Sequence, residues 1–413
     1  MRDEAEHKAD SEAVEVGARR CRDAEGVSTA GRDEAVNYIL LGLRLGRHVD
    51  GLVDAYYGPP ELKEQVDAEP VRGTADLVAD ADALLGQLED GWLGDQALGL
   101  RTYAGVLAGE ELSYSDEVEG CYGLRPQRVG IEQYEAVHAR LEELLPGDGP
   151  LGERYEEWRE ARVVPAERVV PIMHEVIELL HAETATLVEL PHGEGLVIEE
   201  VRDEPWWAFN YYLGDLRSRV VVNLDQPDSA DDIVELALHE VYPGHHTEHA
   251  VKEQRFIRDR GEIEESIQMV PTPAALLQEG LAETGPRVVL DGDVLARLGE
   301  ILDADLGQQR ELREARLPLR RLGLDAALMI HEDGVSHEEV AEYLTRWSLL
   351  PPDRAQHTIR FVTDPTWRAY VINYSAGGEL CRSWVDGDPA RFARLVTEHM
   401  RVSDLLPPVS SGE

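Results

Sequence analysis

The chain has 413 residues, enough for a large buried core, and its 43% hydrophobic content is that of a globular protein. It carries 82 Asp and Glu against 40 Lys and Arg, a formal charge of −42, so its surface repels nucleic acid and anionic lipid and neither is an expected partner. Cys21, Cys121 and Cys381 lie far apart without a CxxC spacing, which argues against a disulfide framework or a thiolate zinc site.

Residues 1 to about 30 are polar, acidic and poor in large apolar side chains, and are read as a flexible tail or a mis-called start. The rest, 31–405, is expected to form one domain with a helical part over 31–190 and a catalytic part over 191–405. From Asp33 the spacing of Val36, Ile39, Leu40, Leu43 and Leu45 predicts a helix, broken at Tyr56-Tyr57-Gly58-Pro59-Pro60. Further helices are expected over about Thr74 to Leu88, Tyr134 to Leu145 and Pro165 to Val188, with a turn at Leu145-Pro146-Gly147-Asp148-Gly149-Pro150. Three β-branched or aromatic runs come next, at Leu196-Val197-Ile198, Trp206 to Leu213 and Arg219 to Leu224, and Trp206-Trp207 reads as packing for that sheet.

After Asp225 helix returns. Ser229 with Asp232 three residues on is a capping signal, and Ile233, Val234, Ala237, Leu238 and Val241 supply an apolar face. Thr272-Pro273 opens a helix over Ala274 to Thr284, Ser336 with Glu339 caps another, and Asp364-Pro365 repeats the cap-then-proline start. The fold class is therefore mainly α, α+β in the loose sense, with a small antiparallel sheet ahead of the helix that carries the candidate centre.

A His-Glu pair occurs four times, at His174, His239, His331 and His337, but only His239-Glu240 is followed within seven residues by two further imidazoles, His245 and His246, with His249 just beyond. In the familiar HExxH pattern two ligands one turn apart reach one zinc while the intervening Glu handles the proton. Here Pro243 stands four residues after His239. Six residues of unbroken helix advance by about 600° and seven by about 10 Å, so the helix must be deformed for a second imidazole to serve. Pro243 removes a helical hydrogen bond and Gly244 tolerates almost any dihedral, so a bulge at that step is expected to return His245, rather than His246, to the ligand position. For the third ligand the best carboxylate is Glu279 in Leu277-Gln278-Glu279-Gly280-Leu281-Ala282-Glu283. Glu283, one turn on, can hold a ligand histidine from behind, and Gly280 would let the two helices approach. His174, His331, His337 and His399 sit in no such motif and read as structural.

The string HEVYPGHH followed by QEGLAE resembles the zincin-like family catalogued as domain of unknown function 885, with its HE-two-residue-PGHH segment and later EGW-A segment. The likeness extends from about Asn37 to Val385, including Val53-Asp54-Ala55-Tyr56-Tyr57-Gly58-Pro59 and Asn223-Leu224-Asp225; Leu281 stands where that family usually has tryptophan. It implies a relation to the metallopeptidase superfamily of carboxypeptidase Taq and the oligopeptidases, a mostly helical fold around a deep channel, and no particular substrate.

On this reading the cofactor is Zn2+, Glu240 is general base towards zinc-bound water, and the substrate is a peptide or small amide. Tyr370 and Tyr374, four apart after Asp364-Pro365, are candidates for oxyanion donor, and the resemblance favours Tyr374. Arg360, Arg368 or Arg382 would hold a substrate carboxylate. Hydrolysis of non-peptide amides or esters uses the same residues. A metal-binding protein without turnover is the rival, but such a site has no need of Glu240. No stretch approaches the ~20 apolar residues of a membrane helix. The charged start also lacks the apolar core of a signal peptide, so a cytoplasmic protein without a membrane partner is expected. Only Lys8, Lys63 and Lys252 are lysines, and an acidic, Arg-dominated composition of this kind resembles that of salt-in halophiles.

Overall fold

The computed structural model describes residues 29–203, 207–225 and 229–407. The expected flexible tail and Trp206 therefore fall outside the described residues, except that Thr29 opens the first helix, Thr29–Gly46. That helix buries Tyr38, Ile39, Leu41 and Leu45, the face its spacing announced.

The chain is mainly helical with two small sheets. Helices Thr74–Leu85, Ile131–Leu144 and Ala166–Thr184 form where apolar periodicity placed them. Helices Pro60–Ala68, Trp92–Ala108, Tyr114–Tyr122 and Leu151–Glu160 were not anticipated. Trp92–Ala108 buries residues nearly all round, so it shows no clean amphipathic stripe, and the other three are ten residues or fewer.

The expected three-stranded sheet forms from β2 (Gly195–Val201), β3 (Ala208–Gly214) and β4 (Arg217–Asn223) in the order β2-β4-β3. β3 and β4 make an antiparallel hairpin, while β2 pairs with β4 in parallel. Unanticipated is a second, two-stranded sheet, in which β1 (Val53–Tyr56) pairs antiparallel with β5 (Ile267–Met269). Its register shifts between Val53 and Ala55, leaving Asp54 as the extra residue.

Two cores position the centre. The larger joins Tyr38, Leu77, Leu100 and Tyr122 to Leu276, Leu277, Leu281, Ile372 and Cys381, and so crosses from one end of the chain to the other. The second packs Val176 and Leu180 with Val220 and Val222 of β4 and with Ile233, Ala237 and Leu238 of helix Ala230–Glu240. Helix Pro273–Thr284 is held by the first core and helix Ala230–Glu240 by the second, and their polar faces meet between the two. Cys121 and Cys381 are buried and free. Among the described residues, no helix is long and apolar enough to cross a membrane.

Candidate metal centre

Helix Ala230–Glu240 starts on the capping box that the sequence announced, with Ser229 Oγ accepting from Asp232 N and the Asp232 carboxylate accepting from Ser229 N. It does not continue through a bulge. It stops at Glu240, and a separate helix, His245–Lys252, begins after Gly244, which corrects the expectation of one deformed helix. The amides of Val241 and Tyr242 both donate to Ala237 O and Pro243 has no amide to give, so the helical ladder ends there. A Cβ on Gly244 would lie 1.8 Å from the His239 carbonyl oxygen, so only glycine lets the second helix start this close to the first.

The break brings His245 beside His239. Their Nε2 atoms are 3.2 Å apart, and Glu279 places Oε2 3.5 Å from His239 Nε2 and Oε1 3.7 Å from His245 Nε2. Three donors around one tetrahedral zinc with bonds of about 2.0–2.1 Å stand about 3.3 Å from each other, so these separations fit such an ion. Two imidazole nitrogens facing one another cannot both carry a proton, and Glu279 Oε2 is buried with no hydrogen-bond partner. A cation shared with the two imidazoles would give that oxygen a partner. A second set, His245, Glu248 and His249, also lies close together, but Lys252 Nζ already donates to Glu248 at 2.6 Å and supplies the positive charge.

The surrounding groups hold these donors. Glu283 Oε1 lies 3.7 Å from His239 Nδ1 and is itself paired with Arg320, so it can fix that ring from behind. Tyr370 donates its hydroxyl to Glu279 Oε1 at 2.9 Å. Gly280 does not face the histidine helices. Its Cβ position lies 2.6 Å from Gly377 O and 2.5 Å from Cys381 Sγ, so it admits the chain around Gly378–Val385 instead.

Tyr370 and Tyr374 do not share a helix opened at Asp364-Pro365. Asp364 Oδ1 caps Thr366 N at 2.8 Å as expected, but residues 365–370 are turns, and Tyr374 lies in a wide π-helical turn, Asn373–Gly377. The two rings still approach, with centroids 5.4 Å apart. Tyr374 is 41% exposed as a residue, but its hydroxyl is buried beside Tyr370, whose own hydroxyl is committed to Glu279. Of the arginines, Arg368 is tied to Glu117 at 2.6 Å and Arg360 is exposed, so neither is held for a substrate; Arg382 is half-buried.

Glu240 is half-buried, and its carboxylate has no hydrogen-bond or ion-pair partner among the described residues. Burial pushes it up to about 7, with the His239 charge opposing and Glu279 adding. His239 and Glu279 shift in opposite directions as a coupled pair. Burial would lower the imidazole, but Glu279, Glu240 and Glu283 hold it above its usual value; burial would raise Glu279, but the two imidazoles and Tyr370 hold it below. His245 is lowered by burial and by the His239 charge. Burial raises Tyr370 and Tyr374, and Glu279 raises both further.

His246 turns the other way. It is fully buried, with Nδ1 on Ser218 Oγ at 2.8 Å and Nε2 on Glu194 Oε2 at 2.8 Å, so it joins the break to β4 and is not placed with the other donors. Three neighbours were missed in the sequence. Glu194 also accepts from Tyr242 at 2.7 Å, Asn210 Nδ2 donates to Glu240 O at 2.5 Å, and Asp54, the bulged residue of β1, is raised to about 6 by burial and then by Glu279 and Glu240. Glu194 and Asn210 carry no motif. The proline and glycine after Tyr57 signalled a turn, not the bulge that makes Asp54 the extra residue of β1.

No protein-family model matches the chain, and no curated protein matches it. Among solved structures it is similar to a candidate lipoprotein from Colwellia psychrerythraea, with a TM-score of 0.48 and 17% identity over 84% of this chain. The matched part spans 57% of the length of that protein.

Proposed function

We propose that this protein is a zinc-dependent peptidase of the zincin type that hydrolyses peptide bonds at His239, His245 and Glu279. The supporting observation is the convergence of these three donor groups at 3.2, 3.5 and 3.7 Å beside a carboxylate, Glu240, that no neighbour among the described residues engages. The HEVYPGHH and QEGLAE strings agree with that reading, and with membership of the family named above.

A zinc ion held by these residues would polarise the scissile carbonyl and bring the pKa of a coordinated water to ~7. The remaining steps belong to the chain. Glu240 takes the proton of the attacking water on its free carboxylate and returns it to the leaving nitrogen. Tyr374 donates its hydroxyl to the carbonyl oxygen as negative charge grows there. Tyr370 positions Glu279, and the Glu283 carboxylate, 3.7 Å from His239 Nδ1, favours the proton on that nitrogen and so leaves Nε2 as the ligand atom.

The test is metal content and turnover measured together on a mixed peptide pool. Glu240→Gln should keep its zinc and lose cleavage, and His245→Ala should lose zinc. Cleavage unchanged in Glu240→Gln would remove Glu240 from the reaction. Zinc bound without cleavage of any peptide would favour a non-peptide amide or ester, or a binding role.

A further inference from the structure

A cavity of about 290 Å³ lies between helices Leu151–Glu160 and Leu306–Arg316 and the start of helix Ala230–Glu240, and none of its walls is a candidate metal ligand. Its lining holds four arginines, Arg159, Arg313, Arg316 and Arg320, against two carboxylates, Asp231 and Asp232. The chain as a whole has twice as many acids as bases, so a cavity lined with this excess of guanidinium runs against the composition.

Most of these charges are answered within the protein. Arg313 pairs with both Asp231 and Asp232, Arg159 with Glu156 at 3.0 Å, and Arg320 with Glu283. Arg316 has no carboxylate at ion-pair distance among the described residues. Its guanidinium lies 3.8 Å over the Tyr155 ring and contacts the Tyr155 hydroxyl, and its Nε is buried without a hydrogen-bond partner. A buried guanidinium nitrogen without a hydrogen-bond partner is unfavourable, Asp232 and Glu156 are near but not at ion-pair distance, and the group that would meet the guanidinium directly is an anion entering the cavity.

The other walls say what the anion is attached to. Tyr155, Trp158, Leu312 and Leu350 make an apolar side, and the volume suits a molecule of one ring rather than a peptide segment. We propose that this cavity binds a small organic carboxylate with a flat apolar body, with Arg316 as its counter-charge. Arg320 lines the same cavity and pairs with Glu283, so the occupant lies one ion pair behind the carboxylate that faces His239.

The full-length protein would be titrated with benzoate and, separately, with phenyl phosphate, by calorimetry at constant ionic strength. Benzoate should bind once per chain, and Arg316→Met should weaken it by about tenfold or more. Arg360→Met, a surface change, should leave it unaltered. Because Arg316→Met removes an unpaired charge, its thermal midpoint should not fall, which separates lost binding from lost folding. Absence of benzoate binding to the wild type, or equal binding by Arg316→Met, would overturn the site. Tighter binding of phenyl phosphate than of benzoate would overturn the carboxylate assignment.

Discussion

His245 and His246 are adjacent in the chain and sit in opposite kinds of surroundings. On the sheet side of the break, His246 is fully buried with both ring nitrogens engaged, by Ser218 and Glu194, and Tyr242 completes the cluster. On the other side, His245 faces another imidazole, Glu279 Oε2 has no hydrogen-bond partner, and the Glu240 carboxylate is unengaged among the described residues. Buried polar groups whose atoms are all engaged hold a fold together, whereas a buried cluster that leaves a carboxylate oxygen without a partner has an atom to spend on a ligand. The same contrast separates Arg313, which has its carboxylates, from Arg316, which has none.

Variants on the two sides should therefore fail differently. The largest effect is expected for Glu240→Gln, with turnover falling roughly 10²- to 10⁴-fold while zinc stoichiometry stays at the wild-type value, since a proton carrier is lost and no donor is. Peptide cleavage and metal analysis on the same sample check it. Tyr374→Phe should cost roughly 10²- to 10³-fold in kcat with little change in KM, the signature of a contact made only as charge develops. An equal rise in KM would place Tyr374 in substrate binding instead.

Glu283→Gln weakens the support behind His239 and should reduce zinc affinity by about 10- to 100-fold, read by competition with a chelator. On the other side, His246→Ala should leave the three donors in place but cost about 1–3 kcal/mol of stability, because it strips partners from buried Ser218 and Glu194. Urea unfolding measures that loss. Loss of zinc without loss of stability in this variant would reverse the assignment of the two histidines.

The smallest effect concerns pH. Burial would raise the Glu194 carboxyl, but His246, Tyr242 and His181 hold it below its ordinary value. Its contribution to stability is thus present above the ordinary carboxylate pKa and is lost as pH falls through the lowered one. Glu194→Gln should accordingly flatten the acid limb of the stability profile.

Much of the site was legible because it is local. The Ser229 and Asp232 cap, the apolar face behind His239 and the proline-glycine step each lie within a few residues of the group they position. The preference for His245 agrees with its placement, although the deformation is a full break and not a bulge, since residue spacing shows that a helix must yield but not how far. The Asp364-Pro365 start formed its cap and then failed as a helix, because capping fixes where a helix can begin while packing among Phe361, Trp367 and Tyr370 decides whether it continues.

The sequence by itself determined the mainly helical class, the cluster of nitrogen donors beside a glutamate, and the point at which their helix must fail, for these depend on neighbours along the chain. Tertiary structure alone decided which imidazole meets Glu279, that Tyr370 is spent on Glu279, that Glu194 locks His246, and that Arg316 faces a cavity with no carboxylate at ion-pair distance among the described residues. Those contacts join segments tens to hundreds of residues apart, and they arise only when two separate apolar cores bring the polar faces of their helices together.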